Sequence, residues 1–168
     1  MRKFICYTDG SHGGDGLAHG AVVFWGGSPD SSTCVHVTST DDRLVSMWNV
    51  GGELLAAYAA VSAIAGRVQK QNEEEMDTYE LELIYDYEGV GKWSRGFWKA
   101  KKPGTIWYTK KIKEILEKTP NLKLTFTWVK GHANTAGNIL ADKVANYNMI
   151  YAKENGIAIC DLDSVVKE

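Results

Sequence analysis

The chain has 168 residues, 44% of them apolar and 24% charged, with 19 basic side chains against 21 acidic ones and a formal net charge of −2. That length supports one domain with a substantial core, the apolar fraction excludes a disordered chain, and no run approaches the roughly 18–20 apolar residues that span a bilayer. Cys6, Cys34 and Cys160 stand far apart, with neither a disulfide framework nor a CxxC metal pattern, so the expectation is a reducing, cytoplasmic setting without membrane attachment.

Residues 3–8 (KFICYT) alternate and are rich in β-formers, which predicts a strand ending at Asp9. A glycine-rich connection, 10–16, leads to a second strand over about 19–26. A turn with Pro29 precedes a third, 33–39, giving an antiparallel meander. After Asn49, the positions Leu54, Leu55, Tyr58, Val61, Ile64 and Ala65 fall at helical spacing. A polar connection over 69–78 leads to a strand, 79–85, that terminates at Asp86. GKWSRGFWKAKKP (91–103) reads as a short helix and a protruding loop, because its glycines and proline make a poor long helix. A helix follows over about 105–118 and stops before Pro120. LKLTFTWV (122–129) alternates as a fifth strand, and a last helix runs from about 137 to 154, ended by Gly156. Three hairpin strands followed by helix and strand in alternation describe a mixed α/β layer with helices on the sheet.

The near-zero net charge hides segregation. Glu73, Glu74, Glu75, Asp77, Glu80, Glu82, Asp86 and Glu88 form an acidic run without lysine or arginine. From Lys92 to Lys118 the sign reverses, and Trp93, Phe97, Trp98, Trp107 and Tyr108 are threaded through the lysines. Cations neutralise phosphates and flat rings pack on sugars and bases, so this mixture suits nucleic acid; solvated lysines over buried rings are the plainer account.

Four acids outside these runs carry the chemical interest. Asp9 ends the first strand, Glu53 opens the first long helix, Asp86 ends the fourth strand, and Asp142 lies early in the last helix. A right-handed crossover through the first helix would set strands one and four side by side, so Asp9 and Asp86 would emerge together. Two carboxylates about 4 Å apart repel by roughly 4 kcal/mol at an effective dielectric of about 20. Divalent cations relieve this, and an all-oxygen shell suits Mg²⁺ or Mn²⁺ rather than zinc. Each acid also has an ordinary reading: Asp9 in a turn, Glu53 answering the helix dipole, Asp86 opening a loop, Asp142 on a solvated face. Their shared placement at element ends is what distinguishes them.

Together, YTDGS (7–11), the segment Asn49–Leu54, Asp86, WVKGHA (128–133) and Asp142 ten residues after His132 resemble the type 1 ribonuclease H family, from about residue 4 to 150. The resemblance implies a five-stranded mixed sheet in the order 3-2-1-4-5 with helices on both faces. It also implies a catalytic domain over 1–154, followed by a tail, 155–168, without an assigned role. The implied activity is endonucleolytic hydrolysis of the RNA strand of RNA–DNA hybrids with Mg²⁺ or Mn²⁺, two ions per site. Asp9, Glu53, Asp86 and Asp142 correspond to the family's metal-binding carboxylates, and His132 to the loop histidine that assists proton transfer or product departure. Ser11, Gly13 and Asn49 flank the acids as candidate contacts to the RNA strand, and Trp93, Lys99, Lys101 and Lys102 as candidates for the DNA strand. The expected partner is the hybrid duplex and the expected state a monomer. Phosphate contacts position without reading sequence, so little sequence preference and a marked salt dependence are expected.

The chain departs from the family at Val50-Gly51-Gly52 before Glu53, and at Tyr87-Glu88 after Asp86, where Glu88 puts the usual minor-groove contact in doubt. The basic segment is short, a trimmed handle rather than a full extra helix. A related-fold nuclease acting on another nucleic acid and a non-catalytic hybrid-binding module are the alternatives. TDGS and VKGHA argue against the first, and acids at all four positions argue against the second.

Overall fold

The computed structural model describes residues 2–71, 77–130, 135–146 and 156–168. The strands are β1 (Arg2–His12), β2 (Ala18–Phe24), β3 (Thr33–Ser39), β4 (Tyr79–Tyr85), β5 (Leu122–Trp128) and β6 (Ala158–Asp161). The helices are α1 (Asp42–Val45), α2 (Asn49–Gln71), α3 (Gly89–Ser94), α4 (Pro103–Lys118), α5 (Ala136–Asn146) and α6 (Asp163–Val166). The sheet order is β5-β4-β1-β2-β3-β6, so the expected five-strand order is present with one strand added. Strands β1, β2 and β3 pair antiparallel, while β4 and β5 run parallel to β1.

Alternation along the strands sorts side chains onto two faces. Val22 and Val37 join the main core with α2, whose Leu54, Leu55, Val61 and Val68 are buried. Tyr58 of α2 meets Trp107 of α4 edge-on at 5.0 Å between centroids, which joins the two helices over that face. Ala21 faces the other way and packs with Val144 and Ala145 of α5. Helices therefore cover both faces, as a sheet with parallel strands requires.

Two expectations need correction. β1 does not end at Asp9. It continues to His12, because antiparallel pairing with β2 runs on through Asp9↔Ala21 to His12↔Ala18. The pairing that stops is on the β4 side, where the register ends at Tyr7↔Ile84. Asp9 is therefore a mid-strand residue with an open flank. The sheet also has six strands rather than five. Residues 158–161 of the tail pair parallel to Val35–Thr38 of β3, a pairing that a short, exposed segment does not announce in sequence.

The tail is tied down after β6. Asp163 accepts hydrogen bonds from Ser39 Oγ (2.8 Å), Thr40 N (2.7 Å) and Thr40 Oγ1 (2.6 Å). Arg43 of α1 donates to the Val166 carbonyl at 2.7 Å and holds the Asp41 carboxylate through Nε and Nη2, each at 2.9 Å. Through these contacts the tail braces α1, and α1 leads directly into α2.

Burial works against the Asp163 charge, but the bonds from Thr40 and Ser39, with Lys167 nearby, bring its pKa down to about 2. A depressed pKa stabilises the fold above the ordinary value of 3.8, and that contribution is lost as pH falls toward 2. In denaturant titrations Asp163→Ala should therefore lower stability by about 1 kcal/mol near pH 7, with the difference from wild type narrowing between pH 4 and 2.

Candidate active site

The first turn of α2 is built from Gly51 and Gly52 because it rests on backbone. A Cβ on Gly52 would strike the His19 carbonyl of β2, and one on Gly51 would strike the Leu44 carbonyl of α1. From the opposite side, a Cβ on Gly10 would meet the backbone nitrogen of Glu53 and the Asn49 carbonyl, the latter at 2.8 Å. Glycines on both surfaces permit this approach. The residues that interrupt the expected family pattern are thus the ones that let Glu53 reach β1.

Asp9 shares a sheet face with Ala21 and so with α5, while Glu53 comes from the α2 layer. They meet because, among the described residues, nothing pairs with β1 on the β4 side beyond Tyr7. Asp86 lies immediately after β4 and completes the group. Each of the three offers a carboxylate oxygen, and these oxygens all lie within 4.8 Å of one another. The end of β4 is fixed by Val129 N donating to the Tyr85 carbonyl (2.8 Å) and Trp128 Nε1 to the Asp86 carbonyl (3.1 Å).

Asp9 and Glu53 keep only 4% and 5% of their surface exposed, so repulsion between them is poorly screened. Burial, then the negative charges of Asp86 and Asp142, push the Asp9 carboxyl up to about 7, against a partial offset from Glu53 and the Gly10 N–H (2.9 Å). Burial and Asp9 raise Glu53 well above the glutamate range, and burial also raises Asp86. Glu53 Oε2 is buried without a hydrogen-bond partner among the described residues, which for a carboxylate oxygen is a costly state. An oxygen-only donor set holding a surplus of negative charge fits a hard divalent cation.

Asp142 is exposed on α5 and stands outside the tight group, yet its charge is felt at Asp9 and Asp86. Asn146 Nδ2 donates to its carbonyl (2.8 Å) and to Oδ1 (3.3 Å). His132 lies outside the described residues.

The helix carrying Asp142 is anchored by groups that sequence reasoning either missed or read differently. Ser11 Oγ donates to the Ala145 carbonyl at 2.6 Å, so this hydroxyl is engaged in holding α5. His36 Nδ1 meets the Val144 carbonyl at 2.7 Å. A carbonyl only accepts, so the proton sits on Nδ1, and His36 Nε2 is left as the partner of His19 Nδ1 at 2.9 Å; His19 Nε2 faces Asp15 at 2.8 Å. Alternate histidines on neighbouring strands were the sequence signal for this chain of contacts. A Cβ on Gly137 would enter the Tyr7 ring, which seats α5 from its other end.

Gly13 is exposed in the β1–β2 connection, and Asn49 is exposed at the start of α2 with its carbonyl against Gly10. Trp93 is half-buried, packed on the core and between Tyr87 (6.0 Å) and Trp98 (5.3 Å). Lys99, Lys101 and Lys102 are exposed on the loop before α4. Phe97, 65% exposed, lies under the cations of Arg95 (4.9 Å) and Lys92 (5.4 Å). Glu88 stands at the start of α3, 3.8 Å from Lys92. The basic segment is thus a single short helix followed by a loop, as its glycines and proline predict.

Residues 1–150 match the family model described as RNase H. The ribonuclease H of Brucella ovis is 29% identical over 160 residues, covering 89% of this chain and 91% of the relative. The ribonuclease H of Mesorhizobium japonicum is 30% identical over 156 residues, covering 85% of this chain and 76% of the relative. Among solved structures, LC11-RNase H1 in complex with an RNA/DNA hybrid superposes with a TM-score of 0.61 at 22% identity, over 89% of this chain and 99% of that one. The sheet order, the carboxylates that meet beside β1 and the match over residues 1–150 agree: this chain belongs to the ribonuclease H family.

Proposed function

We propose that the chain is an endonuclease that hydrolyses the RNA strand of RNA–DNA hybrids with the help of two divalent cations, Mg²⁺ or Mn²⁺. One observation carries this reading within the family: Asp9, Glu53 and Asp86, from distant parts of the sequence, converge with their oxygens within 4.8 Å. The hybrid held by LC11-RNase H1 supports the substrate class.

Asp9, Glu53 and Asp86 would hold one ion, with Asp9 shared toward a second on the Asp142 side. When bound, such ions supply a water activated for in-line attack on phosphorus and a counter-charge for the leaving oxygen. The chain's own part is positional. β1 and β4 present Asp9 and Asp86 from rigid strands, and the glycine contact fixes Glu53 between them. Asp142, on the exposed face of α5, would hold the second ion from the solvent side. His132 follows as the group that moves a proton or helps product leave.

Selectivity for an RNA strand depends on 2′-hydroxyls displayed across a shallow minor groove. Gly13 and Asn49 flank the acids and offer exposed backbone and amide groups there. Ser11 contributes through its backbone, its hydroxyl being taken by Ala145. Lys99, Lys101 and Lys102, with the accessible part of Trp93, would meet the DNA strand.

Cleavage of labelled duplexes tests this directly. With Mg²⁺, RNA in an RNA–DNA hybrid should be cut, while single-stranded RNA, double-stranded RNA and double-stranded DNA remain intact. EDTA should abolish cutting, and Asp9→Asn should reduce it by about 100- to 1,000-fold or more. Equal cutting of double-stranded RNA, or activity in EDTA, would refute the reading.

The acids also predict a pH dependence. Asp9 binds its proton more tightly in the folded chain, at about 7 against an ordinary 3.8, so metal-free stability falls as pH rises through that window. A bound cation relieves the charge that develops. In thermal melts Mg²⁺ should therefore raise Tm more at pH 8 than at pH 5; equal shifts at both would contradict this.

A further inference from the structure

Trp48 leaves 66% of its surface exposed and holds φ at 56°. A large ring in water and a bulky residue in the left-handed region are each unfavourable, and the other positive-φ positions among the described residues are all glycine. The turn from α1 into α2 enforces the conformation: Trp48 N donates to the Val45 carbonyl (3.2 Å), and the Trp48 carbonyl accepts from Gly51 N (3.1 Å). The ring centroid lies 4.3 Å from that of His12. His12 is oriented in turn, its Nδ1 accepting from Gly14 N at 3.2 Å. Two rings from different elements thus form a tilted pair, with Trp48 exposed and the partly buried His12 against it.

Its location gives that pair a use. The next residue, Asn49, sets its carbonyl against Gly10, the neighbour of Asp9. The preceding residue, Met47, packs its sulfur against Gly104, at the start of α4 and two positions beyond Lys102. The residues on either side of Trp48 therefore touch both the strand that carries Asp9 and the start of the helix that follows the lysines at 99–102.

We propose that Trp48, backed by His12, is a stacking platform for the DNA strand of the bound hybrid, taking the apolar face of a deoxyribose or its base. The inference rests on the hybrid-nuclease reading and adds a binding residue to it. Deoxyribose suits the ring because it carries no 2′-hydroxyl to desolvate against an apolar surface. Aromatic contact of this kind tolerates any sequence.

Steady-state cleavage of an RNA–DNA hybrid and thermal melts of wild type, Trp48→Gly and Trp48→Phe test the assignment. Trp48→Gly should raise KM about tenfold with less than a twofold fall in kcat, and Tm should hold or rise because glycine relieves the backbone. Trp48→Phe should keep KM within about twofold of wild type. An unchanged KM in Trp48→Gly while hybrid is still cut would overturn the platform alone. So would equal KM increases in both variants, or a lowered Tm with a matching fall in kcat, which would make the ring a brace for α2. A wild-type protein that fails to cut hybrid at all would instead remove the nuclease reading on which the platform rests.

Discussion

The first turn of α2 sits on the backbone of β1 and β2 with no side chain between them, and the site is a consequence of that contact. Gly10 and Gly52 together remove the atoms that would otherwise hold helix and strand apart, and Gly51 lets the same turn rest on α1. The helix can then deliver Glu53 from one layer of the fold to Asp9, whose side chain belongs to the other. Asp86 joins them because β4 stops where β1 continues. Neither the strands nor the helix alone makes a site; their close approach does.

That closeness is electrostatically unfavourable by itself. Asp9 and Glu53 are nearly excluded from solvent, both hold their protons more tightly than usual, and a Glu53 oxygen has no hydrogen-bond partner among the described residues. A fold that tolerates this arrangement keeps it rigid from all sides. Arg43 links Asp41 to the tail, α1 leads into α2, and Ser11, His36 and Tyr7 hold α5 against the sheet. Negative charge is concentrated at the cluster, while the lysines before α4 are exposed. A net charge of −2 averages over these two opposite regions.

Much of this was legible in the chain. Alternation in KFICYT and LKLTFTW, the apolar spacing of α2 and the acids near element ends identify the strands, the central helix and the cluster. The illegible parts depend on tertiary pairing. β1 runs past Asp9 because of its partner β2, which residues 3–8 cannot report. β6 consists of exposed residues whose only reason to be a strand is the free edge of β3. Gly51 and Gly52 read as a departure from the family pattern, since a close approach between distant segments is visible only once both are placed. The bond from the Ser11 hydroxyl to α5 was not legible because residues 11 and 145 meet only in the fold. Neither the exposure nor the φ of Trp48 can be inferred from composition.

The central claim is that the glycine contact positions Glu53 to complete a cation site. Calorimetric titration of Mn²⁺ into wild type and Gly52→Ala, with circular dichroism showing both folded, tests it most directly. The account predicts saturable binding in wild type and at least tenfold weaker binding in Gly52→Ala, because the added methyl forces α2 off the His19 carbonyl and carries Glu53 away from Asp9 and Asp86. Equal affinity in the two proteins would contradict it.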